Sequence, residues 1–355
     1  MWTCSKILLL VAGLALFARD SFAEDVLLPE GSRKEIEKLF SGKNIIIHDA
    51  ELGWTIKPDM VRHGTRLSNA AGMRAWREYA VRPSSGILRA AAYGDSFVYG
   101  AGAATEDTWT EKVSSGAPNI EVMNYGVPAY GLDQAWLRFR NEGRKFGASV
   151  AIIGLAPDTI FRNLGVFRPF YEPGIGMPFS KPRFLNKKNG LELAPNPLRS
   201  AADYDRFFQN QQAAEWVGRD DWFYQKYKSP PSDLAKDLCY KPDCEAARLA
   251  LLLAKGFAAE VKAGGAAPLL LLFCDRASYE QAAEEGETPY APLLRSLRKA
   301  GLEVLDTSEA LMASGAAAPA LFSEANHYTP YANELVAGAV RAWLLGKFPG
   351  ASTAK

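Results

Sequence analysis

Five apolar runs, each about as long as a β-strand, occur between residues 86 and 306 of the 355-residue chain. Near-continuous apolarity in runs this short is typical of strands that are covered on both faces. The runs are 86–94, 120–126, 149–155, 267–274 and 302–306.

Between these runs, apolar and polar positions follow the spacing of amphipathic helices. The helical segments are 105–115, 132–146, 244–264, 290–301 and the C-terminal 331–348. Strands that alternate with helices predict a parallel sheet joined by right-handed crossovers. We therefore expect an α/β domain of flavodoxin-like type, with three α/β/α layers and a five-stranded parallel sheet, over 86–350.

The alternation stops between Asp158 and Cys244, where the chain is rich in proline, asparagine, arginine and aromatic residues. A structureless loop of this length is uncommon in a compact domain, so we expect a large insertion at about 164–243 that forms a lid or subdomain. Its aromatic residues either stack on sugar rings or form a small core of the insertion itself. They are Trp216, Trp222, Phe223, Tyr224 and Tyr227.

The N-terminus has the pattern of a secretory signal peptide over 1–23. Lys6 precedes the apolar stretch "ILLLVAGLALFA", and small residues precede Glu24. The apolar stretch is shorter than the roughly 20 residues of a membrane span. We expect cleavage after Ala23, a periplasmic or secreted protein and no stable membrane span afterwards; an uncleaved anchor is the alternative. Residues 24–85 then form a preface to the α/β domain.

Charge and cysteine content narrow the function classes. Lys and Arg number 41 against 40 acidic residues, which does not favour nucleic-acid binding. In an oxidising compartment, "CYKPDC" predicts a Cys239–Cys244 disulfide, because Pro242 and Asp243 favour a turn. No other cysteine or histidine lies near it in the sequence to complete a metal site. Cys274 ends an apolar run and is interpreted as a buried thiol.

Polar residues follow the predicted strands, at the edge where α/β sheets bind their ligands. Ser96 follows the first strand in "YGDSFVYG", and Asp158 follows the third. A serine needs a base, and the base needs an orienting partner. Of three histidines, His327 lies three residues after Glu324 and is the candidate base, so Ser96, His327 and Glu324 predict a triad. His48 and His63 are interpreted as structural or exposed.

Four sequence blocks, in order, resemble those of the SGNH/GDSL hydrolase family. They are "YGDSFVYG", "NYGVPAYGLDQ", "AIIGLAPDTIFRN" and "SEANHYTPYAN". The resemblance implies Ser96 as nucleophile, His327 as base and an oxyanion hole formed by the amides of Ser96 and Gly126. The Gly-x-Ser-x-Gly pattern of the α/β-hydrolase elbow is absent from "GDSFVYG", which makes that fold the less favoured one.

The chain departs from the family pattern at two positions. The third block usually supplies an asparagine that donates to the oxyanion, and here Pro157 occupies the best-aligned position without any donor. The fifth block usually has aspartate three residues before the histidine, where this chain has Glu324. Asn163 is a candidate replacement for the missing amide. Further candidate supporting or substrate-binding residues are Asp95, Asn124 and Asp158, the last also a candidate helix N-cap.

The sequence predicts an ester hydrolase that acts without metal or organic cofactor on a small-molecule or polysaccharide ester. An O-acyl group, above all acetyl, on a carbohydrate is the expected substrate. Two alternatives stay open. One is a polysaccharide O-acetyltransferase on the same fold, and the other is a carbohydrate-binding protein with weakened catalysis.

Overall fold

The computed structural model describes residues 30–172, 176–210, 213–227 and 239–352; the predicted signal peptide lies outside them. The strands are β1 Ile46–Asp49, β2 Gly53–Ile56, β3 Val61–Arg62, β4 Thr65–Arg66, β5 Leu88–Gly94, β6 Ile120–Gly126, β7 Val150–Leu155, β8 Arg183–Lys187, β9 Gly190–Ala194, β10 Ala267–Leu272 and β11 Val304–Asp306. The helices are α1 Glu30–Phe40, α2 Ser96–Tyr99, α3 Trp109–Gly116, α4 Leu132–Glu142, α5 Ala201–Gln209, α6 Ala213–Gly218, α7 Trp222–Tyr227, α8 Glu245–Ala263, α9 Arg276–Glu285, α10 Ala291–Lys299, α11 Thr307–Ala313, α12 Ala318–Leu321 and α13 Pro330–Lys347.

The central sheet has five parallel strands in the order β6-β5-β7-β10-β11, which confirms the predicted flavodoxin-like α/β fold. Helices α4, α8 and α10 cover one face, and α3, α11 and α13 cover the other. The chain runs from β5 outward to β6 and then crosses back to β7. The strand order therefore reverses at the carboxyl ends of β5 and β7, where folds of this type form their ligand crevice.

The five predicted strands are all present, and their ends differ from the sequence prediction by at most two residues. Every residue of β5 and β7 is buried, which explains their continuous apolar runs. The segment predicted as one helix over 105–115 divides instead. A 3₁₀ turn covers Thr105–Asp107, and α3 begins only after Thr108, whose hydroxyl accepts a hydrogen bond from the Glu111 amide.

The preface packs directly on the α/β domain. Trp54 is fully buried, and its Nε1 donates to the carbonyl of Pro128 at 3.0 Å. The Tyr130 hydroxyl donates back to the carbonyl of Trp54 at 2.6 Å. In the preface, His48 stacks on Phe40 with ring centroids 4.2 Å apart, while His63 is exposed. The loop between β6 and α4 is therefore held in place by residues that precede the sheet.

The insertion between β7 and α8 contains the β8–β9 hairpin and helices α5 to α7. The fully buried ion pair of Lys181 with Asp133 joins it to α4. Phe223 is completely buried, and its ring packs against Trp222 and Tyr171. The other aromatic residues that the sequence singled out are partly buried against the same core: Trp216, Trp222, Tyr224 and Tyr227. These contacts support the interpretation of the aromatic residues as a core of the insertion, while Trp216 also lines a cavity.

The Cys239–Cys244 disulfide is present, and Cys274 is a buried free thiol, as predicted. In the described ranges, no helix is long and apolar enough to cross a membrane. Within the same ranges, no group of three or more acidic, histidine or cysteine residues is arranged to hold a metal ion.

Candidate active site

Ser96 lies on a tight turn where β5 passes into the short helix α2. The Asp95 carboxylate caps this helix by accepting a hydrogen bond from the Phe97 amide at 2.9 Å. Gly100 ends the helix in the left-handed region, with φ at 75°. A Cβ on Gly126 would overlap the backbone of Tyr99. Only glycine at this position lets α2 rest on the end of β6, and this contact fixes the position of Ser96.

The predicted contact between Ser96 and His327 is present. Ser96 Oγ lies 2.8 Å from His327 Nε2, across 231 residues of sequence. Burial chiefly lowers the pKa of His327, and the charge of Arg162 lowers it further, while Asp95 and the hydrogen-bonding carbonyl of Ala325 raise it. The imidazole is therefore held neutral near pH 7, which is the state in which a general base can accept the serine proton.

The predicted contact between Glu324 and His327 is absent. Glu324 is exposed, and no hydrogen bond or ion pair joins the two side chains in the described structure. The reason is a tight turn between the bridged residues Phe322 and Tyr328, in which the Ser323 amide donates to the His327 carbonyl at 2.8 Å. The prediction of Glu324 as the orienting acid assumed a turn that stacks the two side chains, and this turn does not.

One of the two predicted oxyanion donors is already bonded. The Gly126 amide donates to Asn124 Oδ1 at 2.9 Å. Asn124 Nδ2 in turn donates to the carbonyl of Val98 at 2.7 Å and to Thr110 Oγ1 at 3.0 Å. Asn124 thus anchors α2 to β6 and α3 rather than facing a substrate. The Ser96 amide, at the first position of a helix, has no intrahelical acceptor and is the donor that is left.

Asn163 does not replace the missing amide of the third block. Its Oδ1 accepts from the amide of Leu132 at 2.8 Å, and its Nδ2 donates to the carbonyl of Ile160 at 2.9 Å. The side chain is fully buried and caps α4. Pro157 is also buried and begins the 3₁₀ helix Pro157–Leu164, so neither residue offers a donor to an oxyanion.

Beside the Ser96–His327 pair lies a cluster of charged residues at the carboxyl edge of the sheet. Asp158 and Asp275 each lie three residues beyond Leu155 and Leu272, which pair in register between β7 and β10. Arg162 Nη1 lies 3.9 Å from Asp95 Oδ2. Burial, followed by the charge of Asp275, raises the pKa of Asp158 to about 7, against the opposing effect of Arg162.

Several atoms of this cluster are buried without a hydrogen-bond partner. They are Asp158 Oδ1, Asp275 Oδ1, Arg162 Nε and Arg162 Nη1. Buried polar atoms are rarely left unpaired, so such a concentration marks a place where polar groups of a ligand fit. Asp158 was a sequence candidate, whereas Arg162 was missed. Its only signal was its position in the third block, one helical turn after Asp158.

The chain matches no protein-family model and no curated protein sequence. It resembles solved structures of a member of the lipolytic protein G-D-S-L family from Veillonella parvula (TM-score 0.37, 11% identity, 73% of this chain and 98% of that chain). It also resembles the lipase/acylhydrolase from Enterococcus faecalis (0.38, 10%, 74% and 97%). A catalytic mutant of an acetylxylan esterase from Geobacillus stearothermophilus is similar too (0.39, 10%, 75% and 95%).

Proposed function

We propose that the protein is a serine ester hydrolase of the SGNH/GDSL type. The observation that carries the proposal is the 2.8 Å contact of Ser96 Oγ with His327 Nε2. It lies at the point where the strand order of a flavodoxin-like sheet reverses. A hydroxyl next to a neutral imidazole, on a helix capped by Asp95, is the arrangement of an activated nucleophile.

In the proposed acylation step, Ser96 Oγ attacks the ester carbonyl carbon while its proton passes to His327 Nε2. The carbonyl π electrons move onto oxygen, and the Ser96 amide donates to the oxyanion. When the carbonyl re-forms, the alkoxide leaves and takes the proton from His327. Water then attacks the acyl enzyme by the same route, with His327 as base, and releases the acid.

His327 works in this scheme without a carboxylate hydrogen-bonded to its ring. The carbonyl of Ala325 and the charge of the buried Asp95 are the groups that stabilise the imidazolium, because both raise its pKa. Burial and the charge of Arg162 together outweigh these two effects, which leaves the pKa of His327 below its usual value. We therefore expect a functional but moderate base.

The carbohydrate ester and the export of the protein are the finer parts of the proposal. Export is supported by the signal-like pattern of 1–23 and by the Cys239–Cys244 disulfide. A cavity of about 210 Å³ in the insertion combines an indole with polar side chains and is proposed as the site of the sugar. Its lining includes Trp216, Asn196, Arg219 and Asp220.

Labelling with a fluorophosphonate probe tests the proposal. We expect the adduct on Ser96, hydrolysis of p-nitrophenyl acetate and loss of both in Ser96→Ala, with an unchanged melting temperature. Exposed Ser115→Ala is the matched control and should label like the wild type. An adduct on another serine, with Ser96→Ala still active, would refute the assignment.

A second candidate is a binding protein that retains the fold with little turnover. It is favoured by the occupied Gly126 amide and by Pro157, which together remove two of the usual oxyanion donors. A folded protein that neither labels nor hydrolyses any ester, yet binds acetylated sugars in calorimetry, would establish this candidate. Transfer of the acyl group to an added sugar instead of water would identify an acyltransferase.

A further inference from the structure

The proposed reaction leaves one chemical requirement unmet. A developing oxyanion is normally stabilised by two or three preorganised donors. Here the Gly126 amide is bonded to Asn124, Pro157 has no donor, and Asn163 is used as a helix cap. The Ser96 amide alone supplies only a small part of the usual stabilisation of the oxyanion. Another donor near Ser96 is therefore needed for efficient turnover.

An unpaired buried Nε is not unusual among the described arginines, and three that have one still donate through another nitrogen: Arg74, Arg138 and Arg183. Arg162 has two unpaired nitrogens instead. Its side chain is 12% exposed, and both Nε and Nη1 are buried without a hydrogen-bond partner. Arg168, for comparison, binds Glu172 at 2.8 Å, and Arg89 donates to Glu121 at 2.7 Å. A guanidinium that served only to hold the fold would be expected to make such bonds.

The position of Arg162 relates it to the nucleophile. Its Nη1 lies 3.9 Å from the carboxylate of Asp95, the residue before Ser96, which is ion-pair range but beyond hydrogen-bond distance. Its positive charge also lowers the pKa of His327. It stands on the 3₁₀ helix Pro157–Leu164, which follows β7 at the edge of the sheet where Ser96 lies. A positive charge whose Nε and Nη1 make no hydrogen bond among the described residues therefore lies beside Asp95, the residue that precedes Ser96.

We propose that Arg162 is a catalytic residue whose guanidinium donates to the ester carbonyl oxygen as it becomes the oxyanion. The proposal rests on the proposed esterase function. Ser96 Oγ forms the bond to the carbonyl carbon, its proton goes to His327 Nε2, and the π pair becomes the negative charge that Arg162 and the Ser96 amide stabilise. The hydrogen bonds from Arg162 and the Ser96 amide weaken again when the carbonyl re-forms and the alkoxide leaves with the proton from His327.

The charges around Arg162 suit this role. Asp95 and Asp158 are close enough to influence it, yet neither forms a hydrogen bond with it in the described structure. An ester is neutral in the ground state and carries negative charge on its carbonyl oxygen only in the transition state. The guanidinium therefore stabilises the transition state more than the bound ester.

The test compares Arg162→Ala with wild type on p-nitrophenyl acetate. We expect kcat to fall roughly 10²-fold or more and KM to change less than about threefold, since the lost bond forms mainly in the transition state. Added guanidinium at millimolar concentration should raise kcat of Arg162→Ala at least about tenfold, whereas methylammonium should not. Arg276→Ala is the control, because Arg276 lies at the same edge, is paired with Glu280 and should keep wild-type kcat without rescue.

Three results would overturn the inference: an unchanged kcat in Arg162→Ala, an increase in KM alone, or a loss that guanidinium does not restore in a folded variant. If Arg162→Ala melts early, Arg162→Lys keeps the charge and the stem, and we expect at least about a tenfold loss of kcat with a normal melting temperature. Wild-type kcat in that lysine variant would equally contradict the role. Failure of wild type to label or to hydrolyse any ester would instead refute the proposed function.

Discussion

At the scale of single residues, the hydrogen bonds that a side chain already makes decide which role it can take. Asn124 and Asn163 have the chemistry of oxyanion donors, but both are occupied in holding α2 and α4. Glu324 has the charge of a triad acid and faces solvent. Asp95, in contrast, is buried beside the Ser96–His327 pair, and its charge raises the pKa of His327.

The pH dependence of kcat/KM distinguishes Asp95 from Glu324. The base acts only when unprotonated, and the pKa of His327 lies below its ordinary value of 6.5, so we expect the acidic limb of the wild-type profile below pH 6.5. Asp95 raises that pKa, so Asp95→Asn should shift the limb to still lower pH and reduce kcat roughly tenfold. Glu324→Gln should reproduce the wild-type profile. An acidic limb above pH 6.5, or one that moves in Glu324→Gln alone, would contradict this assignment.

At the scale of elements, the site depends on the close contact of α2 with the end of β6. The register of β5 and β6 aligns Gly94 with Gly126, and both glycines face side-chain or backbone atoms of α2. The Asp95 cap and the bonds of Asn124 complete this contact. The turn from β5 into α2 is thus held by small residues and polar hydrogen bonds on two neighbouring strands.

Substitution of a single methyl group tests this contact. Gly126→Ala places a Cβ inside the backbone of Tyr99, so we expect a loss of several degrees in melting temperature together with loss of probe labelling at Ser96. Gly338→Ala is the matched control, since Gly338 lies inside α13 with open space around its Cα. That variant should keep full activity and gain up to about 1 kcal/mol of stability from helix propensity. A fully active and stable Gly126→Ala protein would show that α2 can move away.

At the scale of the whole molecule, preface, sheet and insertion share one buried core in the described structure. Trp54 connects the preface with the loop after β6, and the Lys181–Asp133 pair connects the insertion with α4. Each connection involves buried polar groups that would be left unpaired on separation, which makes separation costly. The three parts should therefore unfold together rather than one at a time.

Calorimetry of a Trp54→Ala variant tests this cooperativity. Removal of a fully buried tryptophan costs about 3–5 kcal/mol, and we expect the whole protein to melt earlier in a single transition. Trp76→Ala is the control, because Trp76 is 56% exposed and should leave the melting temperature within a degree or two. Two separate transitions, with the activity following only the second, would show that the preface is an independent unit.

Much of the fold could be predicted from the sequence because its strands are buried on both faces. Such strands are continuous apolar runs, and all five appear in the structure within two residues of the predicted ends. Helices α9, α11 and α12 escaped prediction, because α11 and α12 have seven residues or fewer and the apolar residues of α9 are only alanine and tyrosine. The sequence predicted that the insertion is folded, but it did not predict the individual strands and helices of the insertion.

The candidate site was predictable only in part. Ser96 and His327 were predictable because strand ends and the final helix fix their positions. The role of Glu324 depended on the turn 323–327, in which Asn326 adopts a positive φ of 59° and changes the direction of the chain. The roles of Gly126 and Arg162 depended on which of their N–H groups were already bonded, and sequence spacing carries no information on that.

The 231 residues between Ser96 and His327 have a consequence for the order in which activity arises. Ser96 is in place once β5, β6 and α2 have formed, but His327 reaches it only with the turn before α13. Contacts so distant in sequence carry a large loop-closure cost and form late in folding. A partly folded chain therefore has a serine without its imidazole partner, and the proposed reactivity toward esters is expected only when the C-terminal helix has docked.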